Sequence, residues 1–272
     1  MSQAVFPTPL EEPLPFPPRR VISLVPSLTE SLFDLDLGDR LIAVTEYCTR
    51  PAEHIAALPK VGGPKSPDVA RIVALAPHLV LMSEDENRLE DAQALAEAGL
   101  RLWVTRPRSV QDALNLLWAL MEVFEHPRMI PRVREIERAR DYTFAAAEAL
   151  RERVRVFVPV WRDPWMTFNR DTYAHDVLHT CGGANAFAEH AERYPKIALE
   201  DVVAAQPEVV LLPSEPYHFT EADAATFRAL EIPAAKNGRI HLVDGSLLSW
   251  YGTRLAYALR DLPPLLMPAT AP

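Results

Sequence analysis

Two stretches of the chain repeat one another in their apolar pattern: ARIVALAPHLVLM at residues 70–82 and EDVVAAQPEVVLL at residues 200–212. In each, a short apolar helical segment runs into a proline, Pro77 or Pro207, and an unbroken apolar run follows, Leu79 to Met82 or Val209 to Leu212. Proline stops the helix. A continuous apolar run without polar alternation predicts a parallel strand covered on both faces. VISLVP at 21–26 and VRVFVP at 154–159 echo each other at nearly the same offset, and each reads as the opening strand of a lobe. Together the echoes predict two similar α/β lobes, residues 19–108 and 154–272, and clefts between domains are where small ligands preferentially bind.

Residues 109–153 have a helical period instead. Ser109 with Asp112 three positions on is a capping-box-like start, and Val110, Ala113, Leu114, Leu117, Met121 and Phe124 then share one helical face. His126-Pro127 stops this helix. Pro131 suits the first turn of a second helix, which runs without internal Gly or Pro to about Arg153 with Val133, Ile136, Phe144, Ala147 and Leu150 as its apolar stripe. One long helix joining two lobes is a stiff spine. Ahead of all this, Met1 to Pro18 holds six prolines and reads as an extended tail.

Composition narrows the function classes. A formal charge of −9 with no Lys/Arg cluster argues against nucleic acid as the main partner. No run approaches the ~20 apolar residues of a membrane span. The first residues lack a basic start and an apolar core, and carry Glu11 and Glu12, so the chain as written is expected in the cytoplasm. Cys48 and Cys181 fall in different lobes without metal-type spacing and are expected to be buried thiols.

RVISLVPSLTESLFDLDLGDRLIAVTEYCTRPAE, LPKVGG and ARIVALAPHLVL in the first lobe, with LHTCGGANAF and ALEDVVAAQPEVVLLPSEPY in the second, resemble the helical-backbone substrate-binding proteins of ABC importers. The similarity covers roughly residues 20–262 and is strongest to the cobalamin-binding branch. It implies two Rossmann-like α/β lobes bridged by a single spine helix, no catalysis, a monomer without intrinsic cofactor, and a gripped ligand: cobalamin, haem or a ferric siderophore. Family members are periplasmic or at the cell surface. In doubly wound lobes the ligand-facing groups sit on loops at the carboxyl ends of the strands. The ligand-binding residues expected there are Tyr47, Lys65, Trp161, Trp165, Tyr194, Tyr217, Trp250 and Tyr251; Tyr47 and Tyr194 match aromatic contact positions of the cobalamin-binding relatives. The segment from Trp161 to Tyr173 is the richest, with Trp165 and Phe168 between, and large aromatic faces suit a bulky, flat, partly apolar ligand. Covering the second-lobe core is the alternative role for Trp161 and Trp165.

Two departures from the relatives stand out. Pro64 replaces a tryptophan of the pocket wall. The relatives dock a permease through one acidic residue per lobe; Glu200 matches, but its repeat partner is Ala70, leaving Asp68 as the nearby substitute. Among the eight histidines only His175 and His179 have ligand-like spacing, one helical turn apart, and no first-lobe loop supplies a matching ligand, so no protein-bound metal is expected. His175 or His218 as an axial ligand to a bound metal centre stays open. No GxSxG, Walker loop or GxGxxG follows a strand, and no catalytic residues are assigned. The competing class is a cytoplasmic metal- or tetrapyrrole-handling protein or enzyme on the same fold, uncoupled from a transporter.

Overall fold

The repeat is realised as two four-stranded parallel sheets of one topology. The structure is a computed structural model that describes Phe6, Pro7 and residues 14–268. The first sheet holds β1 (Val21–Ser23), β2 (Leu41–Val44), β3 (Leu79–Ser83) and β4 (Leu102–Thr105) in the order β2-β1-β3-β4. The second holds β5 (Val154–Phe157), β6 (Gly183–Asn185), β7 (Val209–Pro213) and β8 (Ile240–Val243) in the matching order β6-β5-β7-β8. Every residue of β3 and of β7 is buried, as their continuous apolar sequence requires of strands covered on both faces.

The helices before these two strands repeat as well. α1 (Pro26–Asp34) opens on a proline, α2 (Val69–Ala74) precedes Pro77, and α3 (Leu89–Glu97) joins β3 to β4. In the second half α6 (Tyr173–Thr180) precedes β6, and α7 (Leu199–Ala205) precedes Pro207. Ala76 and Gln206, at equivalent positions, both adopt a left-handed backbone, φ 45° and 47°, so each helix is unwound one residue before its proline. α8 (Glu221–Arg228) follows β7.

In the chain, α4 (Val110–Val123) and α5 (Ile130–Glu148) come between the last strand of the first sheet and the first strand of the second. The capping box forms: the Asp112 amide donates to Ser109 Oγ at 3.0 Å, and the Ser109 amide donates to Asp112 Oδ2 at 3.0 Å. α5 ends five residues before the expected Arg153. Nothing in its sequence breaks it; Arg153 instead donates to the His179 carbonyl and pairs with Glu148, which turns the chain into β5.

The chain divides into two compact units. The first runs to Pro107 and includes Leu114–Arg134; the second comprises Arg108–Ala113 and the chain from Glu135. α5 carries the chain from the first unit to the second. Each unit has its own core, built on Ile22, Leu24, Val80 and Met82 in the first and on Phe157, Val210, Leu212 and Phe227 in the second. Of the tail at 1–18, residues 1–5 and 8–13 lie outside the described residues; Phe6 packs against the first core, and Phe16 meets His78 edge-on at 5.1 Å. No helix among the described residues is long and apolar enough to cross a membrane.

Candidate functional site

Parallel strands send all their carboxyl ends to one edge of a sheet, and the crevice opens where neighbouring strands connect in opposite directions. Here those strands are β1 and β3 in the first unit, and β5 and β7 in the second. Of the residues singled out from the sequence, Trp161 and Trp165 follow β5 and Tyr217 follows β7, while Tyr47 and Lys65 follow β2, Tyr194 follows β6, and Trp250 and Tyr251 follow β8.

In the first unit Asn87 laces three segments together. Its Oδ1 accepts from the Ser83 amide at 2.7 Å, and its Nδ2 donates to the Pro64 carbonyl at 3.0 Å and the Leu24 carbonyl at 3.4 Å. A short antiparallel ladder, Gly62–Gly63 against Ser66–Pro67, holds Pro64 and Lys65 at its tip. Only glycine suits position 62: φ is +84°, and a Cβ there would lie 2.4 Å from the Ser66 carbonyl oxygen. Lys65 Nζ donates to the Asp85 carbonyl at 3.0 Å, which binds the ladder to the loop after β3. Tyr47 lies beside this ladder, with its ring 3.3 Å from where a Gly63 Cβ would sit, and is 65% exposed. A rigid polar frame thus presents one aromatic side chain to solvent.

The second unit presents more. The chain leaving β5 makes a tight turn from Trp161 to Met166, closed by the Met166 amide to the Trp161 carbonyl at 3.1 Å and by the Val160 amide to the Met166 carbonyl at 2.8 Å. Asp163 within it has φ +59°, a left-handed conformation that Asp, with its short polar side chain, adopts more readily than most residues. Trp161 is 45% exposed and meets Tyr217, from the loop after β7, edge-on at 5.5 Å. Tyr217 is half-buried and packs against the second core, its ring centre 4.7 Å from that of Phe219, so Trp161 is the more exposed of the two. Met166 also bridges to Lys196, which ties in the loop of Tyr194, itself exposed with the Arg193 guanidinium 5.3 Å from its ring centre.

Trp165 faces the other way. It stacks on Phe219 with ring centres 6.0 Å apart and planes 5° apart, and meets Phe227 edge-on at 5.1 Å, so it packs against the second core. Trp250 and Tyr251 are buried; Tyr251 lies edge-on to Tyr173 and Trp250 lies near the Arg254 guanidinium. The loop after β7 is clamped from below: Gly245 donates to Ser214 Oγ at 3.0 Å, Ser249 Oγ donates to Glu215 at 2.7 Å, and a Cβ on Gly245 would lie 2.6 Å from the Glu215 amide nitrogen.

Two features of the site escape sequence reasoning. Asn87 gives no local sign that it bridges three segments. Arg162 pairs with Asp223, a carboxylate buried at the start of α8, 61 positions away. Burial would raise the Asp223 pKa, but the Thr220 amide and hydroxyl and the Arg162 guanidinium outweigh it and hold the carboxyl below its ordinary value. Nothing in the local sequence signals that contact.

The acidic residues expected to dock a permease occupy helix starts. Glu200 is exposed in the first turn of α7. Asp68 caps α2, its Oδ1 accepting from the Arg71 amide at 2.9 Å, while Ala70 is exposed two residues on, within the first turn. His175 and His179 stack with ring centres 6.3 Å apart, and burial, then the neighbouring His179, lowers the His175 pKa. Among the described residues no group of three or more His, Cys, Asp or Glu is placed to hold a metal ion.

A family model described as periplasmic binding protein matches residues 21–247. The vitamin B12-binding protein of Vibrio parahaemolyticus is 29% identical over 230 residues, 82% of this chain and 80% of that protein. That of Yersinia pestis is 30% identical over 193 residues, 71% of this chain and 69% of that protein. Among solved structures, the periplasmic vitamin B12-binding protein BtuF of Vibrio cholerae superposes with a TM-score of 0.78 at 24% identity, covering 92% of this chain and 97% of that one. The periplasmic heme-binding protein HutB of Vibrio cholerae gives 0.77 at 20% identity, covering 92% and 99%. These matches correct the cytoplasmic placement: the family is one of periplasmic binding proteins, and the first residue of a sequence says nothing of a leader ahead of it. With a family model spanning most of its length and both sheets in the family's arrangement, the chain belongs to the periplasmic binding protein family.

Proposed function

We propose that this protein is the periplasmic substrate-binding component of an ABC importer, that it does no chemistry on its ligand, and that the ligand is a corrinoid of the cobalamin type. The observation that carries this is Trp161, 45% exposed on the loop after β5, with the half-buried Tyr217 of the loop after β7 edge-on beside it. Aromatic faces set at 73° to one another offer a large, rigid, weakly polar surface that costs little rotamer entropy on binding. The named relatives add the ligand class, since they are vitamin B12-binding proteins. Tyr47, Lys65 and Tyr194 are assigned as further ligand contacts, with Trp165, Trp250 and Tyr251 behind the surface as support. Glu200 is assigned to permease docking, with Asp68 as its first-unit counterpart. The protein works as a monomer and brings no cofactor of its own.

Titration calorimetry with cyanocobalamin, cobinamide, haemin and a ferric siderophore tests the reading. Cyanocobalamin or cobinamide is expected to bind most tightly, unchanged on recovery. Tighter binding of haemin would move the ligand to the haem class, and turnover of any of the four would refute a pure binding role.

A further inference from the structure

The Trp161–Met166 turn follows β5, and one of its side chains, the half-buried Arg162, reaches a buried carboxylate on α8. Arg162 reaches Asp223 Oδ1, and its guanidinium lies 5.6 Å from the Trp165 ring centre. The Asp223 side chain is 3% exposed and also accepts from the Thr220 amide at 2.8 Å and the Thr220 hydroxyl at 2.9 Å. Capping α8 explains the Thr220 contacts but not the burial, because a capping carboxylate is comfortable in water. A carboxylate removed from water needs a cation, and Arg162 supplies it with a planar fork.

That contact decides which way the turn faces. Consecutive residues at a bridged position point to opposite sides, and Trp161 is bridged to Met166. With Arg162 drawn down to α8 and against Trp165, Trp161 is turned out and Asp163, 88% exposed, follows it into the left-handed region. We infer that Arg162 is a positioning residue: the Arg162–Asp223 pair locks the turn so that Trp161, and not Trp165, is the ring offered to the ligand. The inference rests on the reading of Trp161 as a ligand contact. Arg162 itself touches no ligand in this arrangement and acts through its neighbour.

A thermodynamic cycle on the full chain tests it. Arg162→Gln should weaken cyanocobalamin binding roughly tenfold, the scale of losing one oriented aromatic contact. In a Trp161→Ala background the same substitution should change affinity less than about twofold, because the residue it positions is gone. Fluorotryptophan labelling adds a readout independent of ligand. In Arg162→Gln the fluorine resonances of Trp161 and Trp165 should shift or broaden, while those of Trp103 and Trp118 stay in place. Equal losses of affinity in both backgrounds, or an unmoved Trp161 resonance, would overturn the inference. If the unsubstituted protein binds no cyanocobalamin, the functional reading fails and the fluorine resonances alone decide the positioning role. Should Arg162→Gln fail to fold, Arg162→Lys is judged by the same resonances, since it keeps the charge opposite Asp223 and loses the fork.

Discussion

Trp161 and Trp165 are four positions apart and chemically identical, so truncating each in turn separates support from contact. The Trp165 ring stacks on Phe219 and meets Phe227 edge-on, both in the second core. Truncating a fully buried tryptophan costs about 3–5 kcal/mol; for this half-buried ring we expect about 2–4 kcal/mol. At roughly 2–4 °C per kcal/mol for a unit of this size, Trp165→Ala should lower the melting temperature by about 5–15 °C. Trp161 is 45% exposed and lies outside that core, so Trp161→Ala should cost stability no more than about 1 kcal/mol. Its effect falls on binding: loss of one anchoring aromatic is worth about 1–3 kcal/mol, or roughly fivefold to 150-fold in affinity. Circular-dichroism melts of the two variants without ligand, followed by cyanocobalamin titrations of each, measure both quantities. The opposite outcome, a Trp165→Ala protein that melts like the parent but binds poorly beside a Trp161→Ala protein that binds normally, would show that the two rings have been assigned to the wrong sides of the turn.

Gly245→Ala should lower stability by about 1–3 kcal/mol and weaken cyanocobalamin binding, because its Cβ meets Glu215 backbone and not a side-chain end that could swing away; an unchanged melt would mean that the Ser214–Tyr217 loop is not clamped. Burial pushes the Cys181 thiol up to about 12, and burial also raises Cys48 against the opposing hydrogen bonds of Thr29 and Thr45. Thiol reagents at pH near 8 should therefore leave the native protein unmodified and label both cysteines after unfolding. Because both folded values are raised, their contribution to stability is whole below the ordinary thiol value of 9.0 and falls as pH climbs through the raised values, so denaturation midpoints should decline above about pH 9; rapid labelling of the native protein at pH 8 would contradict the burial.

What the sequence determined by itself is everything carried by local pattern and by duplication. The apolar runs after Pro77 and Pro207 are strands because a continuous apolar segment has one stable home, a sheet covered on both sides. The Ser109–Asp112 box starts a helix because its two hydrogen bonds need no distant partner. Repetition of these segments was enough to predict two similar α/β lobes; the strand order they share is read only from the structure. Tertiary structure alone decided the rest. Trp161 and Trp165 read alike in sequence, and only packing against Phe219 and Phe227 half-buries one while Tyr217 stands beside the other. α5 stops at Glu148 with no breaker in its sequence, because Arg153 bonds to the His179 carbonyl. Arg162 finds Asp223 across 61 positions, and Asn87 reaches the Leu24 carbonyl across 63. Such contacts leave no periodicity to detect, since a charge or an amide is satisfied by whatever group the fold brings within about 3 Å of it.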